Sequence, residues 1–341
     1  MKSVLVLGSG GVGAVTALAL QSSGEADVTL IVRTDYETVM TRGYEFKSVD
    51  YGQVDGWRPS RVVKSVDEAV EHGPYDYIVV CTKFVPEVQK TEDMVRPFMH
   101  KGATVVLVQN GLGNEEPVMK AFPDGYVLGG VSMIGSTNYD GRINHISPDE
   151  VTIGTYDKRP EAIASAKEYV RLYSLSKSKG IFTEHLAKKR WIKLFYNATY
   201  NTIAAVTGLD TGRLYFSGIS NNLVKEAMAE VRAIAEKELG EKLDPGIEAF
   251  MLNVDANEYY EPSMLVDVRK GQPMELEAIL GNPLRLAQKH NIPAPLLQVV
   301  YIMLRGRQMA LLEKRGLVDL PPLGFDLKEH KPVYDTLPWT E

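Results

Sequence analysis

The hydrophobic pattern of this 341-residue chain changes character about halfway along. In the first half, short apolar runs rich in Val, Ile and Leu recur at residues 4–7, 28–32, 77–82 and 103–108. Their continuity, without polar alternation, predicts strands buried on both faces. Helical patterns over residues 12–23, 35–41 and 85–98 lie between them and predict crossover helices, while 44–54 reads as a hairpin insertion. Strand and helix in alternation predict an α/β, doubly wound, mostly parallel sheet. From residue 126 to 155 the pattern turns strand-rich, with turn signals at Tyr139-Asp140-Gly141 and Ser147-Pro148-Asp149, so antiparallel strands should join the sheet.

Beyond about Gly180 the strand pattern ceases. Residues 186–206, 219–238, 246–256 and 274–290 read as helices. The expected organisation is therefore a doubly wound sheet domain over 1–184 and an all-α domain over 185–341. From Asp319 through Pro321, Pro322, Pro332 and Pro338 proline is too frequent for helix, which predicts an extended tail.

Composition narrows the class. With 44% hydrophobic and 24% charged residues the chain is globular, and 38 Lys and Arg against 44 Asp and Glu give a formal charge of −6. That balance argues against a nucleic-acid or membrane-surface partner, so any anion site must be local. The single cysteine, Cys81, ends an apolar strand run and has no intramolecular partner. The start, Met1-Lys2-Ser3 followed by Val4 to Leu7, is too short for a signal segment, and no apolar run approaches the ~20 residues of a membrane helix. A reducing, cytoplasmic setting is the expectation. His72, His100, His145, His185, His290 and His330 are scattered without metal-ligand spacing, so no metal is expected. Oligomeric state is not written in the pattern; a homodimer is the state to test.

Gly8-Ser9-Gly10-Gly11-Val12-Gly13 fits G-x-G-x-x-G and directly follows the first strand run at the start of a strand–helix–strand unit. Gly8 suits the tight turn, Gly10 a close approach of backbone to a pyrophosphate, and Gly13 close helix–strand packing. An acidic residue that would hold a ribose 2′-hydroxyl should end the second strand, yet Arg33 stands there. A guanidinium suits the 2′-phosphate of NADPH; the competing reading makes Arg33 a solvated charge and gives a 2′-hydroxyl to Asp35. Lys83 lies just past the third strand, on the sheet edge where such folds bind ligands.

In the first helical segment Lys193, Asn197 and Asn201 stand at i, i+4 and i+8 in an apolar setting. They drift only about 80° around the helix and form one polar stripe. Asparagine costs roughly 0.6 kcal/mol relative to alanine in a helix, so the stripe needs polar partners or a ligand unless it is a solvated face. A lysine there could protonate an oxygen that gains charge, such as a carbonyl receiving hydride. Gln109-Asn110-Gly111 ends the fourth strand and reads as a ligand loop in preference to a hairpin turn. Ser263 and Glu275 sit at helix starts, where a cap and a first-turn carboxylate are the plainer readings.

Together these pieces resemble the ketopantoate reductase (2-dehydropantoate 2-reductase) family nearly end to end: the glycine loop, Arg33, Cys81-Thr82-Lys83, Gln109-Asn110-Gly111, Trp191-Ile192-Lys193-Leu194 with Asn197 and Asn201, Ser263-Met264-Leu265 and Glu275. The resemblance implies a Rossmann-type NADP-binding sheet domain followed by a helical domain similar to that of 6-phosphogluconate dehydrogenase, NADPH as cofactor and a small 2-keto acid as substrate. It implies Lys193 as general acid, Asn110 beside the nicotinamide and Glu275 in the active-site charge network. It further implies Asn197, Asn201 and Ser263 on the substrate, and Arg33 and Lys83 on the adenosine phosphate. Leu280, Asn282 and Pro283 depart from the family pattern in the region that shapes the substrate pocket. Reduction of ketopantoate to pantoate, for pantothenate and coenzyme A synthesis, is the first expectation. A D-2-hydroxy acid dehydrogenase similar to D-mandelate dehydrogenase is the second, and a non-catalytic NADPH-binding sensor the third.

Overall fold

The computed structural model describes residues 1–255 and 257–326. The chain divides into a sheet unit, 1–82, 91–109 and 114–189, and a helical unit, 83–90, 110–113 and 190–341. The expected division at 184/185 leaves both short segments with the sheet; the observed division groups residues 83–90 and 110–113 with the helices.

The sheet unit carries strands β1 (Lys2–Leu7), β2 (Ala26–Ile31), β3 (Tyr44–Ser48), β4 (Gly52–Trp57), β5 (Arg61–Val63), β6 (Tyr77–Val80), β7 (Thr104–Leu107), β8 (Tyr126–Tyr139), β9 (Arg142–Gly154) and β10 (Lys179–Phe182). Their order is β4-β3-β9-β8-β7-β6-β1-β2-β5, with β10 beside β9. The pairings from β5 through β8 are parallel, whereas β8 pairs antiparallel with β9 and β3 with β4. Helices α1 (Gly11–Ser22), α2 (Tyr36–Arg42), α3 (Val66–Val70), α4 (Thr91–Val95), α5 (Glu116–Ala121) and α6 (Pro160–Ser174) accompany them. Along β1, Val4 and Val6 enter a core shared with α1 and α6, and Leu5 and Leu7 enter another shared with α3, α4 and α5. Burial on both faces is what the unbroken apolar runs require.

Several local expectations change. Residues 85–98 do not form one helix: only Thr91–Val95 is α-helical, followed by a 3₁₀ turn at Arg96–Phe98. Pro86 disfavours helical backbone at Val85, and Phe84 and Glu87 are bonded instead to Glu275 and Gln308. Ser147-Pro148-Asp149 is no chain reversal; β9 runs through it with a register shift opposite Met133 to Gly135. Pro148 lacks the N–H of a regular ladder, and a bulge accommodates it. The turn at Asp140 and Gly141 does form, with φ of 51° and 77°. Helix α6 and strands β5 and β10 have no counterpart in the pattern reading.

The helical unit contains α7 (Leu186–Tyr196, shared with the sheet unit at its start), α8 (Thr202–Thr207), α9 (Thr211–Phe216), α10 (Lys225–Leu239), α11 (Ile247–Asn253), α12 (Ser263–Arg269), α13 (Asn282–Lys289) and α14 (Pro295–Lys314). Wider π turns at Asn197–Asn201, Ser220–Val224 and Glu277–Gly281 join α7 to α8 and lead into α10 and α13. Pro283, which cannot donate to the helical ladder, follows the third of these at the start of α13, so the segment continues across it. The long α14 was not anticipated, and Leu297, Val300 and Leu304 on it are buried in this unit's own core with Phe195, Met228 and Leu280. Residues 319–326 are non-helical, and Pro332 and Pro338 lie outside the described residues. No helix of the described residues is long and apolar enough to cross a membrane.

Candidate active site

In the sheet unit the glycine loop connects β1 to α1. Gly8 has φ of 103°, and a Cβ there would lie 2.7 Å from the Thr82 nitrogen. A Cβ on Gly13 would lie 1.8 Å from the Gly8 carbonyl oxygen, so only glycine lets α1 sit this close to the strand end. Gly11 meets β8 in the same way, at 2.4 Å from the Ser136 oxygen, while Gly10 faces open space. Gly10 caps α1 without a side-chain bond, and the first turn, which includes Val12, holds no acidic residue. Uncapped N–H groups at the positive end of a 12-residue helix, beside an open glycine, fit a pyrophosphate.

Asn138 on β8 secures this loop. Its Nδ2 donates to the Ser9 carbonyl at 2.7 Å and to Asp35 Oδ2 at 2.8 Å. The carboxylate of Asp35 is thus engaged within the protein. Arg33 is exposed immediately beyond β2, and no bond to its side chain occurs among the described residues. The guanidinium is thus open at this strand end, and the Asp35 carboxylate is partly committed to Asn138. Cys81 lies at the end of β6, where burial pushes its thiol up to about 12, so it is not a nucleophile at neutral pH.

In the helical unit three residues far apart in sequence form one chain of hydrogen bonds. Lys193 Nζ donates to Asn110 Oδ1 at 2.7 Å, and Asn110 Nδ2 donates to Glu275 Oε2 at 2.9 Å. Glu275 Oε1 accepts from the backbone N–H of Phe84 at 3.0 Å, so both carboxylate oxygens are held. The segment carrying Asn110 needs its glycine: Gly111 has φ of 86°, and a Cβ on it would meet the Ala278 carbonyl oxygen at 2.4 Å. Leu112 N–H donates to that carbonyl, and buried Arg190 donates to the Gly111 carbonyl at 3.1 Å. Gln109-Asn110-Gly111 is no hairpin turn, since the strands on either side of it, β7 and β8, pair in parallel.

Burial lowers the Lys193 ammonium to about 8, with the Glu275 carboxylate opposing the fall and Arg190 adding to it. Lys83 is pushed down to about 8 by the same cause. Its ammonium is ion-paired with Asp267 on α12, a residue that was not singled out in the sequence although it stands four positions, one helical turn, beyond Ser263.

The polar stripe is not a solvated face. Asn197 and Asn201 are 5% and 2% exposed. The π turn that contains them brings Asn201 Nδ2 to 2.8 Å from Asn197 Oδ1. Asn201 Oδ1 accepts from Ser263 Oγ at 3.2 Å and from the Met264 N–H at 3.3 Å. Ser263 is the first residue of α12 and does not cap it, since Pro262 occupies that position. Lys193, Asn110, Glu275, Asn197, Asn201 and Ser263 therefore all belong to one unit, linked in two hydrogen-bonded groups along α7 and its π turn. Such an arrangement can hold a polar substrate and deliver a proton from a lysine poised near neutral pH. Among the described residues no group of three His, Cys, Asp or Glu could hold a metal ion.

Comparison with known proteins agrees with this reading of the fold. An uncharacterized protein of Saccharomyces cerevisiae is 36% identical over 93% of this chain and 97% of its own. The crystal structure of 2-dehydropantoate 2-reductase from Methylococcus capsulatus superposes with a TM-score of 0.76 at 31% identity, covering 93% of this chain and 99% of that one. D-Mandelate dehydrogenase, solved with NADH and anilino(oxo)acetate, shares the fold with a TM-score of 0.78 at 19% identity, over 91% of this chain and 99% of that one. The family model described as ketopantoate reductase PanE/ApbA matches residues 4–158, and its C-terminal counterpart matches 185–308. Matched in both its sheet and its helical parts, the chain belongs to the ketopantoate reductase family.

Proposed function

We propose that the chain reduces 2-dehydropantoate to pantoate with NADPH, with Lys193 as the general acid. The observation that carries the reading is the Lys193–Asn110–Glu275 chain, a proton donor held by an amide whose other end is fixed by a carboxylate. The glycine loop with the α1 N-terminus would hold the cofactor's pyrophosphate, and Arg33 its 2′-phosphate. When bound, the reduced nicotinamide supplies hydride to the keto carbon.

As negative charge grows on the keto oxygen, the Lys193 ammonium stabilises it and transfers a proton to it, an interaction stronger in the transition state than in the ground state. Asn110 holds Nζ in place, and Glu275 keeps the ammonium form favoured against burial. Asn197, Asn201 and Ser263 supply polar groups for the substrate's hydroxyl and carboxylate. Pantoate formation would serve pantothenate and coenzyme A synthesis, in a cytoplasmic setting.

The test is a panel of 2-keto acids assayed by consumption of NADPH and of NADH. Ketopantoate with NADPH should give the highest kcat/KM. Faster turnover of 2-ketoisovalerate or a phenyl-substituted keto acid would replace this reading by a D-2-hydroxy acid dehydrogenase like the mandelate enzyme. Cofactor binding without turnover of any keto acid would leave a sensor.

A further inference from the structure

Gln308, on α14, is completely buried, and an apolar side chain would be the ordinary choice at such a position. Each of its amide atoms is used. Oε1 accepts from the Met274 N–H at 2.9 Å, while Nε2 donates to the Met274 carbonyl at 3.1 Å and to Glu87 Oε1 at 3.0 Å. The amide orientation is determined by this set, because a flipped amide would face a donor with a donor and two acceptors with an acceptor.

The two bonds to Met274 clamp both polar groups of the residue immediately before Glu275. The third bond reaches Glu87, three positions after Phe84, whose N–H holds the Glu275 carboxylate. One side chain thus restrains both the backbone that carries the carboxylate and the loop that bonds it. Glu87 depends on Gln308 in turn: its Oε2 is buried without a hydrogen bond, and burial raises its carboxyl to about 7, with the Glu277 carboxylate adding to the rise. Glu277 itself is held by Arg285 and the Tyr301 hydroxyl.

We propose that Gln308 is a positioning residue of the active site, fixing the Glu275 carboxylate, and through it Asn110 and Lys193, by clamping the Met274 peptide and the Glu87 loop. The proposal rests on the reductase reading of the Lys193 site. It calls for a role in turnover beyond that of a buried amide satisfied for stability alone.

The experiment is a double-mutant cycle in the full-length protein, with hydrogen exchange as a readout independent of turnover. Gln308→Leu should lower kcat by about 10–100-fold with KM within threefold of wild type. In a Glu275→Gln background the same change should cost less than threefold, because the group it positions has already been altered. Full multiplicative losses in both backgrounds, or an unchanged kcat, would overturn the proposal. Should Gln308→Leu not fold, Gln308→Glu keeps the acceptor for Met274 and sets a second carboxyl against Glu87. That pair can share one proton at pH 6 but not at higher pH, so its kcat relative to wild type should fall between pH 6 and pH 8; a constant ratio contradicts the clamp. Exchange of the Met274 amide should accelerate in either variant. Unchanged exchange would refute the positioning role alone, whereas absence of keto acid reduction by the wild type would refute the functional reading alone.

Discussion

The ammonium of Lys193 donates to Oδ1 of Asn110 at 2.7 Å, across 83 positions of sequence. Because the amide has one acceptor end and one donor end, the bond from Asn110 to Glu275 leaves only Oδ1 to face the lysine. A carboxylate in that place would raise the ammonium's pKa strongly, whereas the amide holds Nζ in position and lets burial lower it.

The pH dependence follows from that balance. Burial lowers Lys193 to about 8, so the ammonium is present below that pH and lost above it. The kcat for keto acid reduction should decline as pH rises through about 8, and hydroxy acid oxidation, which needs the neutral amine as base, should rise through the same range. Lys83 is lowered similarly, so the profile should also be recorded for Lys83→Met. The limb should persist there; its disappearance would assign the titration to Lys83.

In the proposed reading, cofactor choice turns on the strand end after β2. Arg33 is exposed there while Asp35 is bonded to Asn138. Replacing Arg33 by Asp should shift preference from NADPH toward NADH, since a charge-assisted contact to a phosphate contributes roughly 1.5–3 kcal/mol. The ratio of kcat/KM for the two cofactors measures it, and a wild type that uses both equally would contradict the role given to Arg33.

The substrate role proposed for Asn201 is separable from its structural one. Its side chain bonds Asn197, Ser263 and the Met264 N–H while 2% exposed. Asn201→Ala should cost about 1–3 kcal/mol in urea unfolding, because buried partners are left unsatisfied. Under assay conditions where the variant stays folded, KM for the keto acid should rise; an unchanged KM would confine Asn201 to structure.

Much of this was legible in the pattern, for physical reasons. The strands and the glycine loop announce themselves because a doubly buried strand and a close backbone approach tolerate few residue types, as at Gly8 and Gly13. The stripe of Lys193, Asn197 and Asn201 was visible from helical spacing, but its burial was not, since burial depends on what packs over it. Asp267, Asn138 and Gln308 were missed because polar residues resembling ordinary surface positions acquire their meaning from partners distant in sequence. Helix α14 escaped notice since apolar residues line both its buried and its exposed sides, Leu304 on one and Ile302 and Met303 on the other, which obscures the period. The break at Phe84 to Lys90 follows partly from Pro86, which the sequence shows, and partly from the bonds of Phe84 and Glu87 to Glu275 and Gln308, which it does not.

The most direct measurement is kcat for Lys193→Ala with ketopantoate and NADPH, paired with the NADPH dissociation constant. Proton donation by a placed side chain contributes ~10²–10⁴-fold, so kcat should fall by that factor while the dissociation constant stays close to wild type. A variant within threefold of wild-type kcat, with chemistry shown to limit the rate, would mean that the proton comes from elsewhere and that the stripe is structural.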